Sequence, residues 1–326
     1  MSNTLLEVRE LCKFFPVSNG TLHAVDNVSF TVNEGETMGI VGESGCGKST
    51  LGRAILRLHE PTKGKVLFNG MDICEFNAEE MREMRKHMQI VFQDPYSSLD
   101  SRYTVRKIIE EPLRIHKAYK TKAEYAERVE ELMELVGLAK RMSNMYPHEF
   151  DGGRRQRIVI ARALALNPKF IVCDEPVSAL DVSVQAQILN LMMELQEKLG
   201  LTYIFISHDL SVIRHISTNI GVMYMGLMIE KAPKKTIFER PLHPYTSALL
   251  SAIPSINVLE KHERTTLRGE ITSPVNPKPC CRFAPRCPYA TEECMRSTPV
   301  LTEVEPNHFL ACHRAEDMKN GALNRS

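Results

Sequence analysis

The residues Gly42-Glu43-Ser44-Gly45-Cys46-Gly47-Lys48-Ser49-Thr50 combine glycines, a lysine and hydroxyls in an order suited to gripping a chain of phosphates. Glycines let successive backbone N–H groups converge on an anion, and Lys48 adds a full positive charge. Ser49 then carries a hydroxyl placed for Mg²⁺. Four further residues could complete a hydrolytic reaction. The segment 169–173, apolar from Phe170 to Cys173, ends in Asp174 and Glu175, which suits one carboxylate that holds Mg²⁺ through water and a second that polarises the attacking water. Gln93 follows the run 88–92 and could reach the metal and that water. His208 follows residues 201–207 and could contact a γ-phosphate. The chemistry implied is hydrolysis of a nucleoside triphosphate.

Such residues need strands and helices to place them. Residues 38–41 are apolar and residues 51–58 suit a helix, so the glycine run is expected between a strand and a helix whose positive dipole end faces the phosphate. Asp174, Gln93 and His208 likewise stand at the ends of predicted strands. Up to about residue 254 the chain alternates short β-branched runs with helical patterns, which predicts an α/β core on a largely parallel sheet. Beyond it the texture changes. Residues 268–312 gather prolines and five of the nine cysteines, which predicts a loop-rich appendage held by something other than a core.

Composition bounds the function classes. The chain has 326 residues, 43% hydrophobic and 25% charged, with a formal net charge of +1. Basic and acidic residues alternate, as in 120–134, so the footprint of a nucleic-acid binder is missing. No apolar stretch approaches the roughly 20 residues of a membrane-spanning helix, and no secretory signal is visible at residues 1–9. A soluble, cytoplasmic chain is expected. Any membrane passage would have to be formed by other chains.

Taken in order, these motifs resemble those of the ABC transporter ATPases over at least residues 5–230. The resemblance implies a P-loop cassette with a RecA-like core, an antiparallel β subdomain and an inserted helical subdomain at about 95–165. It makes Phe150-Asp151-Gly152-Gly153-Arg154 the signature that meets a partner's nucleotide, Ser178-Ala179-Leu180-Asp181 the D-loop, and Phe15, with Val25 nearby, the residues that meet adenine. ATP and Mg²⁺ are the implied ligands. Two positions depart from the family, in which Ser usually stands at 151 and Gln at 154.

Further motifs look like those of the oligopeptide and dipeptide importer ATPases, in particular the second ATPase of such systems: Gln93-Asp94-Pro95-Tyr96-Ser97-Ser98-Leu99, Tyr146-Pro147-His148-Glu149-Phe150 and His243-Pro244-Tyr245-Thr246. The resemblance implies a cassette over 1–255 and a cysteine-rich tail over 256–326. It implies a heterodimer with another ATPase, two permeases coupled through residues 94–105, an extracytoplasmic binding protein, and a peripheral place on the cytoplasmic face of the membrane. Related systems carry nickel, glutathione or other small solutes. ABC ATPases that act outside transport form the remaining alternative, but the long coiled coil or second cassette they carry is missing from this sequence.

Cys281, Cys287, Cys294 and Cys312 follow the spacing C-x5-C-x6-C-x17-C. Disulfides are unexpected in a cytosolic chain, and four thiolates could close a zinc site or hold an iron–sulfur cluster. The related ATPases can carry a 4Fe-4S cluster in this tail, so a cluster is the expectation, with zinc and unmetallated thiols as the alternatives. Cys46, at a helix N-terminus beside Lys48, is expected to favour the thiolate.

Overall fold

The apolar runs that end in polar residues fold as short buried strands, and the helical stretches between them cover those strands. The computed structural model describes residues 3–252 and 273–321. The expected boundary at residues 255 and 256 lies outside them. The chain divides into two compact units, one holding residues 33–35 and 75–206, the other residues 3–32, 36–74 and 207 onward.

The first unit is built on parallel strands Met88–Val91, Phe170–Asp174 and Thr202–Ile206, in register at Ile90 with Val172 and Val172 with Ile204. Every residue of the latter two strands is buried. Apart from Asp174 and Thr202 at their ends, these strands are apolar without alternation, as a parallel sheet covered on both faces requires. Within 95–165 lie the short helix Pro95–Ser98 and the helices Val105–Ile115, Lys122–Leu135 and Gly152–Leu164, the last packing on the other three. Each starts on a side-chain cap. Asp94, Thr104 and Asp151 accept backbone N–H groups of the first turn, and Thr121 forms a reciprocal box with Glu124, satisfying donors that a helix start otherwise leaves orphaned.

The second unit contains a sheet in the order Gly20–Asn33, Thr4–Val17, Lys63–Phe68 and Met71–Asp72. It also contains strand Thr37–Val41 paired parallel with Asn219–Tyr224, which pairs antiparallel with Leu227–Pro233. Residues 302–310 extend this second arrangement. His308–Leu310 pairs with Leu227–Pro233 and Thr302–Glu305 pairs with His308–Leu310. The buried Glu230 carboxylate accepts hydrogen bonds from the backbone N–H groups of Leu242 (2.7 Å) and His243 (3.1 Å), and the His308 Nε2 lies 2.8 Å from it. Such a carboxylate, sealed from water, is tolerable because its oxygens are partnered.

The appendage is therefore anchored by ordinary packing, which differs from the expectation. Phe283, Leu310 and Ala311 are buried, and Phe283 packs among Tyr224, His243 and Tyr245 with ring centroids 5.3–5.6 Å apart. The expected iron–sulfur cluster, and with it zinc, is corrected. Among the described residues no group of three or more His, Cys, Asp or Glu side chains is arranged to hold a metal, so Cys281, Cys287, Cys294 and Cys312 do not form the site that their spacing suggested. The physical reason lies in the thiols. Burial pushes Cys281 and Cys312 up to about 11, which keeps both as neutral thiols in this packing. Cys287 Sγ instead accepts from the Tyr289 N–H at 3.4 Å, and Cys294 Sγ pairs with the Thr291 hydroxyl at 3.4 Å. Among the described residues no helix is long and apolar enough to cross a membrane.

Candidate functional site

In the second unit, residues 42–47 form a loop between strand Thr37–Val41 and helix Lys48–Ile55. Gly47 caps that helix at φ 105°, and a Cβ there would stand 2.0 Å from the Ala24 carbonyl oxygen. Only glycine fits, on both counts. Lys48 is buried and its Nζ donates to the carbonyls of Gly42 (2.8 Å) and Glu43 (3.0 Å), drawing the loop into a ring. The Cys46 carbonyl accepts from Gly226 N–H at 2.9 Å. Ser49 and Thr50 follow in the first helical turn.

Val25 is fully buried beside Ala24, the residue Gly47 touches, so its strand runs against the loop. Phe15 is partly exposed. The His59 ring meets it edge-on at 5.5 Å, and Lys13 Nζ lies 4.8 Å from its centroid. His208 directly follows Ser207, whose N–H donates to Ile40 of the strand that feeds the loop (3.2 Å). Cys46 reverses its expectation. It is buried, and burial raises its thiol pKa despite the nearby Lys48. Desolvation of the anion outweighs one neighbouring ammonium and the helix dipole.

In the first unit, Asp174 ends its strand almost wholly buried. Glu175 follows at φ 51°, a left-handed conformation that costs a non-glycine residue about 1 kcal/mol or more. Its N–H donates to the Ile206 carbonyl at 3.0 Å. That bond holds the strained turn, and the turn delivers the Glu175 carboxylate to Gln93, whose Nε2 donates to Oε2 at 2.9 Å. The structure thus joins two residues that stand 82 positions apart in sequence. Ser178 Oγ donates back to the Glu175 carbonyl at 3.1 Å, tying the following Ser178-Ala179-Leu180-Asp181 to the same turn.

The signature segment opens helix Gly152–Leu164. Asp151 Oδ1 accepts the Arg154 N–H at 2.8 Å, and Arg154 Nε lies 3.4 Å from Oδ2. The carboxylate is therefore both helix cap and ion-pair partner. A Cβ on Gly153 would meet Val184 at 2.6 Å, and one on Gly152 would meet Leu180 at 2.9 Å, so the two glycines let this helix start lie close against Leu180 and the helix Val182–Leu199 that follows it. Just beyond, buried Arg155 donates Nε to the Pro147 carbonyl at 2.7 Å and lies 3.9 Å from the Tyr96 ring centroid. Arg162 donates to the Ser98 carbonyl at 2.6 Å. Residues 96–98 are thus held to the signature helix at two points.

Three contacts around the loop escaped the sequence reading. The Tyr245 hydroxyl accepts the Glu43 N–H at 2.9 Å, Gly226 braces Cys46, and Arg286 forms a two-bond pair with Glu43. Tyr245 stood in a motif that signalled kinship alone. Arg286 carried no signal.

Comparison with known proteins agrees with this geometry. The family described as ABC transporter matches residues 25–178, and the one described as oligopeptide/dipeptide transporter, C-terminal region, matches 229–294. The chain is 53% identical over 320 residues to the oligopeptide transport ATP-binding protein AppF of Bacillus subtilis (strain 168), covering 95% of this chain and 97% of that protein. It is 50% identical to the oligopeptide transport ATP-binding protein OppF of the same organism, covering 97% and 98%. Among solved structures it is similar to the dimeric ATP-binding cassette MJ0796 bound to ADP and phosphate, with TM-score 0.64, 29% identity, and coverage of 71% of this chain and 99% of that one. A phosphate loop gripped by its own lysine, a strained glutamate held by a glutamine, and a near full-length match to oligopeptide transport ATP-binding proteins together mean that this chain belongs to the ABC transporter family, as one of its ATP-binding cassettes.

Proposed function

We propose that this chain binds and hydrolyses ATP to power a membrane importer of di- and oligopeptides, working beside permeases at the cytoplasmic face and paired with a second ATPase. The observation that carries the reading is Glu175, placed by a strained turn at the end of a buried strand with its carboxylate on Gln93. Strain of this kind persists where the surroundings over-determine it, and a general base is a reason to hold it. The peptide assignment is supported by the named function of the relatives and by the match to the oligopeptide/dipeptide C-terminal region, which favours peptides over nickel or glutathione.

In this proposal the N–H groups of 42–50 and Lys48 receive the phosphates, Phe15 and Val25 meet adenine, and Ser49, Asp174 and Gln93 provide the hard oxygen ligands that suit Mg²⁺. The fit is supported by Gly42 and Gly47, where any Cβ would collide with the Met223 and Ala24 carbonyl oxygens, so that only glycine lets the loop fold this tightly. Bound Mg²⁺ supplies neutralisation of the charge developing on the phosphates. Glu175 takes a proton from the attacking water, Gln93 orients that carboxylate, and His208 contacts the γ-phosphate. Asp151, Gly152, Gly153 and Arg154 face the nucleotide of the partner ATPase.

The test is reconstitution of the complete importer in vesicles with peptide and ATP supplied on opposite sides. Peptide accumulation that requires ATP and is abolished by Glu175→Gln is expected. Accumulation of another solute with no response to peptide overturns the substrate assignment while leaving the ATPase assignment standing.

A further inference from the structure

Glu43 is an acidic residue inside a loop shaped to receive phosphate anions. Its carboxylate is partly exposed, and an uncompensated negative charge there opposes a triphosphate. The structure supplies compensation from far along the chain. Arg286, partly buried, donates Nη1 to Glu43 Oε2 at 2.8 Å and Nη2 to Oε1 at 3.2 Å. This is the forked geometry in which a guanidinium matches a carboxylate most strongly.

Arg286 is held there firmly. It closes the turn Ala284–Arg286 directly after Phe283, whose buried ring lies among Tyr224, His243 and Tyr245. Tyr245, of the same aromatic group, accepts the Glu43 N–H. Arg282, one residue before Phe283, bonds Asp26 and the Met225 carbonyl, and Gly226 N–H bonds Cys46 of the loop. Backbone and carboxylate of Glu43 are thus both fixed from residues beyond the strands that carry the phosphate loop.

We propose that Arg286 is a positioning residue for ATP binding: it neutralises Glu43 and holds it off the phosphates, so that the cysteine-rich segment is an electrostatic part of the nucleotide site. The pair is local, part-buried and close to where phosphate charge arrives, so the loss of the cation weakens ATP binding and leaves the chemical step alone. Removing the anion as well restores it. A merely structural anchor predicts no such rescue.

The experiment measures displacement of trinitrophenyl-ATP by Mg-ATP on the purified full chain, with KM and kcat taken on the reconstituted importer. Arg286→Gln is expected to raise Kd and KM about tenfold with kcat changed less than about twofold. Arg286→Gln with Glu43→Gln returns both constants to within about twofold of the original. A double variant as weak as the single one overturns the proposal, as does unchanged affinity in Arg286→Gln. If Arg286→Gln does not fold, Glu43→Gln alone decides. It leaves Arg286 uncompensated near the phosphates and must tighten ATP binding, and unchanged or weaker binding overturns the proposal.

Discussion

Gln93 donates its side-chain amide to the carboxylate of Glu175 at 2.9 Å, across two parallel strands joined through Val91 and Cys173. The contact fixes which way the carboxylate faces. Replacing Gln93 by Ala is therefore expected to lower kcat by roughly 10- to 100-fold while affinity for ATP measured without Mg²⁺ changes less than about threefold, because orientation is lost but the base remains. Glu175→Gln keeps the amide contact and removes the base, so hydrolysis at this chain's site falls below detection with nucleotide still bound. Single-turnover ATP hydrolysis alongside equilibrium nucleotide binding separates the two. Turnover by Glu175→Gln within tenfold of the original enzyme contradicts the assignment.

Asp151 caps its helix with one oxygen and faces Arg154 with the other. A carboxylate only accepts hydrogen bonds, whereas serine at that position could donate one to a partner's γ-phosphate. The importer's two ATP sites are accordingly expected to be unequal, the slower being the one that uses this signature. Disabling the catalytic glutamate of each ATPase in turn, in the assembled complex, measures it, and equal losses refute the asymmetry. Asp151→Ser with Arg154→Gln speeds the slow site, whereas Asp151→Ala removes the cap and costs about 1 kcal/mol in a denaturation midpoint.

Tyr96 is 61% exposed, yet the Arg155 guanidinium lies over its ring at 3.9 Å. An exposed aromatic braced from behind by the signature helix is suited to receive a permease segment and pass its movement on. Tyr96→Ala is expected to reduce peptide taken up per ATP hydrolysed by about tenfold, a coupling loss of roughly 1.4 kcal/mol. Paired uptake and phosphate-release assays in the same vesicles provide the ratio. An unchanged ratio removes Tyr96 from the coupling path.

His243 is buried, its Nδ1 accepts the Tyr245 N–H at 3.1 Å, and burial lowers its pKa to about 4. The folded chain therefore keeps this imidazole neutral while the unfolded chain protonates it near pH 6.5. Between those values the unfolded state binds more protons, so stability falls as pH drops, by up to about 1.4 kcal/mol per pH unit from this group. Urea midpoints at pH 7 and pH 5 are expected to differ more for the original chain than for His243→Asn, which still offers an acceptor to the helix start and does not titrate. Equal pH dependence of the two rules out His243 as the source.

The phosphate loop and the Asp174-Glu175 strand end were legible in the sequence because local rules dictate them. Only glycines permit the loop's backbone, an apolar run makes a strand buried on both faces, and the phosphate loop upstream gives the carboxylates at its end a role. The same locality explains what misled. The spacing of Cys281, Cys287, Cys294 and Cys312 suggested ligands, yet ligation depends on where side chains point in the folded chain, and among the described residues no such group is arranged to hold a metal. Cys46 was expected to ionise from its position along the chain, and burial, which only the folded chain confers, reversed it. Gln93 and Glu175 were each singled out, but their contact depends on strand register. The bond from Arg286 to Glu43 spans 243 residues, and no local pattern encodes a charge pair at that separation. It exists because tertiary packing brings a turn of the C-terminal segment to the phosphate loop.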